Sequence, residues 1–145
     1  IIIGANVFTY FISLTRLPDS LVTSVSNLAV PNIVVIFILM AIYLVLGSIF
    51  DTVAAMLITL PFVLPLIVGM GYSPIWWGIV NVVVIELGMI TPPIGLNVFI
   101  LQGVTRTPLK TIYKGVMPFV VADFIRACLL VFFPILALWL PSVLK

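Results

Sequence analysis

Two short stretches of this sequence place oxygen-bearing and helix-breaking residues inside long apolar runs. They read Leu46-Gly47-Ser48-Ile49-Phe50-Asp51-Thr52 and Gly88-Met89-Ile90-Thr91-Pro92-Pro93-Ile94-Gly95-Leu96-Asn97. An aspartate at the centre of a membrane helix costs roughly 2.5–3.5 kcal/mol on insertion scales, and an unpaired backbone group in hydrocarbon costs several kcal/mol. Groups this unfavourable indicate that each stretch has a function.

The oxygens in these stretches suit a hard monovalent cation such as sodium, which binds neutral carbonyl and hydroxyl groups. Gly47 and Gly88 offer carbonyls that an ion can approach closely, because glycine has no side chain. Thr91 adds a hydroxyl one helical turn after Gly88. The alternative remains that Gly47 only permits a tight turn and that the prolines after Thr91 only kink a helix.

The second stretch also has features that suit an anion. The half-helix that begins after Gly95 has unpaired amide groups and the positive end of its dipole, and both attract an anionic group. Asp51 has two interpretations that the sequence leaves open. It caps the helix that follows it, contributes to an ion or substrate site, or does both.

The composition identifies the environment in which this chemistry takes place. The 145 residues are 64% hydrophobic, with six basic residues, four acidic residues and no histidine. This is too little polar surface for a soluble globule, so we predict an all-α polytopic membrane protein. With no histidine and a single cysteine, Cys128, the usual zinc sites, a disulfide within the chain and Ser-His or Cys-His catalysis are excluded. The chain is therefore not predicted to be an enzyme, and its few scattered basic residues predict no nucleic-acid partner.

The hydrophobic pattern predicts four membrane segments. They are a transmembrane helix over 1–17, a re-entrant helical hairpin over 32–60, a broken transmembrane helix over 74–104 and a transmembrane helix over 117–141. The polar residues between the first two suit a surface-lying segment or a loop. The consecutive prolines cannot donate backbone hydrogen bonds, so the third segment must break after Thr91.

The hairpin is favoured over one continuous helix because residues 32–60 would exceed a hydrocarbon core of about 30 Å without strong tilt. We expect short arms over 32–46 and 51–60, a tip at the membrane midplane, and Pro61 and Pro65 at the mouth. The basic segment 105–116 predicts the cytoplasmic side. The chain starts without methionine or a signal-like pattern, so it looks like a piece of a longer polypeptide.

Both stretches resemble the C-terminal half of the large membrane subunit of TRAP (tripartite ATP-independent periplasmic) transporters. The likeness covers almost the whole chain, and its most specific part is the Thr-Pro-Pro-x-Gly-x-Asn string at 91–97. The resemblance implies one half of an inverted-repeat, elevator-type transporter, of which the first repeat is missing from this chain. It further implies that the fragment alone does not transport.

The resemblance also implies a function and a set of site residues. TRAP transporters are sodium-driven importers of small organic acids, such as C4-dicarboxylates or the sugar acid sialic acid, across the bacterial inner membrane. A periplasmic substrate-binding (P) subunit and a small membrane (Q) subunit are the expected partners, and sodium is the coupling ion with no other cofactor. By this likeness, one sodium site is formed by Gly47, Gly88, Thr91 and the carbonyl of Ile94. The substrate is bordered by Ser48, Asp51, Pro92, Pro93, Gly95 and Asn97.

Three other functions stay open at this point. A related sodium–dicarboxylate symporter would share the broken helices but need no binding protein. A passive channel or a structural membrane subunit would show no sodium coupling. An intramembrane aspartyl protease would need Asp51 and Asp123 to face each other, although neither lies in a Gly-x-Gly-Asp setting. The simplest expectation for Asp123 is an ion pair with Arg126 near the cytoplasmic end of the last helix.

Overall fold

A computed structural model describes residues 2–27 and 30–143, and over these residues every regular secondary-structure element is a helix. The helices are α1 (Ile2–Leu14), α2 (Leu17–Asn27), α3 (Asn32–Ile49), α4 (Thr52–Gly69), α5 (Pro74–Ile90), α6 (Leu96–Thr105), α7 (Leu109–Phe132) and α8 (Ile135–Val143). Helices α3, α4 and α7 are long and apolar enough to cross a membrane. The chain is therefore a helical membrane protein.

Helices α3 and α5 touch backbone to backbone where two glycines cross. A Cβ atom on Gly88 would lie 2.5 Å from the carbonyl oxygen of Leu44 and 3.0 Å from the Cα of Gly47. A Cβ atom on Gly47 would collide with the carbonyl oxygen of Ile85. Small residues let membrane helices approach this closely, and van der Waals packing then holds the helices together.

The same two helices run in parallel. Tyr43, in the second half of α3, packs edge-on against Trp77 of α5 with ring centroids 5.8 Å apart. One turn further along α3, Gly47 meets Ile85, and both residues lie closer to the ends of their helices. The C-terminal ends of α3 and α5 are consequently neighbours, and the crossing fixes their separation.

Helices α3 and α4 form an antiparallel pair. The chain turns at Phe50, whose backbone is extended, with φ −107° and ψ 159°. At the other end of the pair, the side-chain amide of Asn32 donates to the carbonyl of Met70 at 3.3 Å. Midway, the hydroxyl of Tyr43 donates to that of Thr59. A single continuous helix through this region is thereby excluded.

The arms of this pair are longer than the sequence predicts. They cover 32–49 and 52–69, because α4 continues through Pro61 and Pro65. An internal proline removes its own backbone hydrogen bond, and membrane helices tolerate this loss when neighbouring groups satisfy the freed carbonyl. Each arm of 18 residues is about 27 Å long. A tip at the midplane therefore requires that the mouth of the pair extend beyond the hydrocarbon or that the helices tilt steeply.

One other predicted boundary is corrected at the start of the chain. The first helix ends at Leu14, three residues before the predicted end of the 1–17 segment. The polar segment after it forms a helix, α2, and its Val22 packs against Gly69 at the end of α4. Helix α1 lies along α4 as well, where Phe8 meets Phe62 edge-on.

The predicted last span, 117–141, is two helices in the structure. Helix α7 begins at Leu109 and ends at Phe132, because the residue that precedes Pro134 is pushed out of helical geometry. The ion pair between Asp123 and Arg126 forms at 3.2 Å. It lies in the second half of α7 and not near the end that adjoins the basic segment, which corrects its predicted position.

A tryptophan side chain replaces the hydrogen bond that the proline after α7 removes. Pro134 has no N–H to donate to the carbonyl of Leu130, four residues earlier. The indole Nε1–H of Trp76 donates to that carbonyl instead, at 2.8 Å. Trp76 is 1% exposed, so this bond lies in the protein interior and ties α5 to α7.

Replacing Trp76 with phenylalanine should destabilise the protein. The part-buried carbonyl of Leu130 would then lose its donor, and an unpaired group of this kind costs about 1–3 kcal/mol. Thermal melting of the purified variant measures the loss. Trp139→Phe is the control, because Trp139 is 61% exposed. The melting temperature of this variant should equal that of the wild type. Equal effects of both substitutions would contradict the role assigned to Trp76.

Replacing Gly88 with alanine should destabilise the protein because the new Cβ meets backbone atoms of α3, which cannot move aside as a side chain can. Overpacking of this kind costs about 1–3 kcal/mol or more. Gly78→Ala in the same helix is the control, since no atom lies within 4 Å of its Cβ position. There, alanine should be neutral or add about 0.5–1 kcal/mol of stability. Similar melting temperatures for both variants would contradict the close crossing.

Candidate functional site

The first part of the candidate site is the C-terminal end of α3. The last four carbonyls of an α-helix have no partner within the helix. Here the N–H of Phe50 donates to the carbonyl of Leu46 at 2.8 Å. The carbonyl of Gly47, the next residue, belongs to the same last turn of α3. Gly47 lies within α3 and not at the turn itself, which corrects the interpretation that it forms a tight tip.

The second part is the C-terminal end of α5, which Thr91 closes. The N–H of Thr91 donates to the carbonyl of Gly88 at 3.0 Å, and its hydroxyl donates to the carbonyl of Leu87 at 2.6 Å. These two bonds fix the threonine against the helix end. Its hydroxyl oxygen and the carbonyl oxygen of Gly88 each keep a lone pair with which to bind a cation.

The charges of the two helix ends add up. Each helix C-terminus carries a partial negative charge equivalent to about half an elementary charge. The crossing of Gly47 and Gly88 brings two such ends together, so their partial charges repel unless a cation lies near both. The described residues contain no group of three or more His, Cys, Asp or Glu side chains that could hold a metal. The oxygens that the two helix ends bring to this point belong to backbone carbonyls and to the hydroxyl of Thr91, all of which are neutral.

The segment between α5 and α6 is tightly folded. Gly95 has φ +61°, and a Cβ atom there would lie 3.2 Å from the carbonyl oxygen of Thr91. The carbonyl of Ile94 accepts a hydrogen bond of 2.6 Å from the hydroxyl of Tyr113 in α7. The predicted sodium ligand Ile94 therefore already has one partner and keeps one lone pair. No motif in the sequence predicts this contact of Tyr113.

The turn between α3 and α4 is held by two side chains. Asp51 caps α4, since its Oδ1 accepts from the N–H groups of Val53 at 3.0 Å and Ala54 at 3.2 Å. The capping interpretation of Asp51 is thus confirmed, and its side chain remains exposed. Thr52 donates its hydroxyl to the sulfur of Met89 at 3.0 Å. Sequence reasoning missed this link between the turn and the end of α5.

The predicted substrate-binding residues differ in their accessibility. Ser48 is fully buried and donates its hydroxyl to the carbonyl of Val45 at 2.8 Å, so it presents no free surface to a substrate in this conformation. Gly95 is also buried. Three others, Pro92, Pro93 and Asn97, are exposed beside the end of α5.

Comparison with known proteins identifies the family. The family described as "Tripartite ATP-independent periplasmic transporter, DctM component" matches residues 1–136. The chain is 31% identical over 144 residues to the C4-dicarboxylate TRAP transporter large permease protein DctM of Vibrio cholerae, which covers 99% of this chain and 32% of that protein. It is 27% identical over 141 residues to the sialic acid TRAP transporter large permease protein SiaM of the same organism, covering 97% and 33% respectively.

A third relative is also a TRAP transporter permease by its name. The isethionate TRAP transporter permease protein DctMQ of Oleidesulfovibrio alaskensis is 27% identical over 116 residues, which is 80% of this chain and 18% of that protein. The chain spans about a third of the length of the large permeases that it matches. The family consists of transport permeases and not of enzymes, in agreement with the sequence analysis. This chain belongs to the DctM family of large permease subunits of TRAP transporters.

Proposed function

We propose that this chain forms one half of the transport machinery of a sodium-coupled TRAP permease that imports small organic acids. The observation that carries the proposal is the meeting of two helix C-termini at the crossing of Gly47 and Gly88. Two negative dipole ends held in contact favour a bound cation. Thr91, fixed at the end of α5, supplies the hydroxyl beside them.

The proposed sodium site consists of the carbonyls of Gly47, Gly88 and Ile94 with the hydroxyl of Thr91. These are neutral oxygens on short, fixed segments. Irregular backbone at membrane depth is tolerated where it lines a site, and broken helices of this kind carry the ion sites of secondary transporters. Binding of sodium would fill the lone pairs that the helix ends leave free.

The proposed substrate is a small organic anion. The names of the relatives specify C4-dicarboxylates, sialic acid and isethionate, and the N-terminus of α6, which has no side-chain cap, offers a positive dipole end. Pro92, Pro93 and Asn97 form the exposed border of this region, with Asp51 at the start of α4. Gly95 shapes the turn between them. Ser48 would join the border only after a rearrangement, because it is buried here.

Family membership supports a proposal for the assembly. We propose that the complete transporter contains a periplasmic substrate-binding (P) subunit and a small membrane (Q) subunit, and that it lies in the bacterial inner membrane. In this assembly, α3 and α4 act as a re-entrant hairpin and move with α5 in an elevator-type step. The parallel, glycine-locked contact of α3 with α5 supports movement of these two helices as one body.

The alternatives have less support. Membership in a tripartite family argues against a symporter that needs no binding protein. The protease alternative requires two free facing aspartates, but Asp51 caps α4 and Asp123 pairs with Arg126. A passive channel would not require two helix C-termini to meet beside a threonine hydroxyl.

Thr91→Ala should reduce the affinity for sodium. Loss of one ligand worth about 1.4 kcal/mol raises the sodium concentration for half-maximal uptake about tenfold. The measurement is sodium-dependent uptake of radiolabelled organic acids into proteoliposomes that hold the full-length permease, its small subunit and its binding protein. Thr91→Ser, which keeps the hydroxyl, should restore uptake.

The matched control for this experiment is Thr105→Ala. Thr105 makes the same kind of bond, from its hydroxyl to the carbonyl of Leu101 at 2.8 Å, but lies at the other end of α6. Uptake by this variant should be normal. If Thr91→Ala also transports normally, or if uptake needs no sodium, the break after α5 is a structural kink and the proposed site is wrong.

Asp51→Asn separates the charge of this residue from its capping role. Asparagine caps a helix about as well as aspartate, so the melting temperature of the variant should stay the same. If the carboxylate takes part in ion or substrate binding, uptake falls strongly while the fold is preserved. We expect this result. Normal uptake together with a normal melting temperature would show that Asp51 serves only as a helix cap.

A further inference from the structure

Three buried polar atoms of α5 have no hydrogen-bond partner among the residues that the structure describes. They are the indole Nε1 of Trp77 and the side-chain Nδ2 and Oδ1 of Asn81. Both residues are 1% exposed. Unpaired buried amides are rare in native proteins, and each one calls for an unseen partner.

The surroundings of these atoms contain further polar groups. Trp77 and Asn81 are four residues apart, so they share one face of α5. Tyr43 of α3 packs against the ring of Trp77 at 5.8 Å between centroids. Its hydroxyl donates to Thr59 of α4 and also faces the side chain of Asn81, without reaching it in hydrogen-bond geometry. Because a phenol oxygen that donates its proton still accepts, the group formed by Trp77, Asn81, Tyr43 and Thr59 has both free donors and free acceptors. It joins three helices.

The chemistry of this group selects its ligand. A cation would meet the N–H groups of Trp77 and Asn81, which repel it, and an anion would meet the acceptor oxygens of Asn81 and Tyr43. A water molecule both donates and accepts, and buried waters typically make about three hydrogen bonds to such groups. We propose that Trp77, Asn81 and Tyr43 bind one resident water molecule between α3, α4 and α5.

This water site is separate from the proposed sodium site. Asn81 precedes Gly88 by seven residues along α5, a distance of about 10 Å. The water would connect the α3–α5 pair to α4 through the hydroxyls of Tyr43 and Thr59. It would thus stabilise the middle of the hairpin, and it does not depend on sodium coupling or on the identity of the substrate.

The direct test is a structure of the wild-type full-length permease at a resolution that shows ordered water. We expect density at about 2.7–3.2 Å from the amide of Asn81 and from Nε1 of Trp77. A dry site in which Asn81 bonds directly to Tyr43 would overturn the proposal. An ion surrounded only by oxygens would overturn it too.

A second test uses the sign of a stability change. Asn81→Leu is close in size and removes all polar atoms. If a water bridges the group, its loss leaves the indole N–H of Trp77 buried without an acceptor, and the melting temperature falls by a few degrees. If the site is dry, leucine removes the cost of a buried, unpaired amide and the melting temperature rises. That result would overturn the proposal. Val82→Leu, on the exposed side of α5, is the control and should melt as the wild type does. Should Asn81→Leu fail to fold, the wild-type structure decides alone.

Discussion

The contact between the backbones at Gly47 and Gly88 is the constraint on which the rest of the structure depends. It holds α3 and α5 parallel and sets the distance between their C-terminal ends. A side chain at either position would separate the helices by the width of a methyl group or more. The two breaks would then no longer meet, and neither the helix dipoles nor Thr91 would act on a common point.

The breaks themselves arise from different chemistry. After α5, consecutive prolines remove backbone donors, and Thr91 closes the helix by bonding back to Gly88 and Leu87. After α3, the chain turns because Asp51 starts a new helix with its own side-chain cap. Both ends leave carbonyl lone pairs unused, and such lone pairs in an apolar setting attract a cation. The α3–α5 crossing brings the two local breaks together, and this contact is the basis of the proposed site.

The sequence predicted the membrane setting and the location of both breaks from local chemistry, and it predicted the family through its resemblance to known proteins. Prolines after Thr91 forbid a continuous helix wherever the chain is placed. The sequence did not predict that α4 would continue through Pro61 and Pro65, because the free-energy cost of an internal proline depends on the groups around it. Nor did it predict the bond from Tyr113 to the carbonyl of Ile94. Such tertiary partners leave no periodic pattern along the chain.

The central claim is that these joined helix ends bind sodium. It is tested most directly by melting the full-length permease in sodium chloride and in potassium chloride at equal ionic strength, for the wild type and for Thr91→Ala. A ligand that binds only the folded state raises the melting temperature as its concentration rises. The account predicts a sodium-specific rise in the wild type that is clearly smaller in the variant. Identical sodium-dependent rises in both proteins, or none in either, would contradict it.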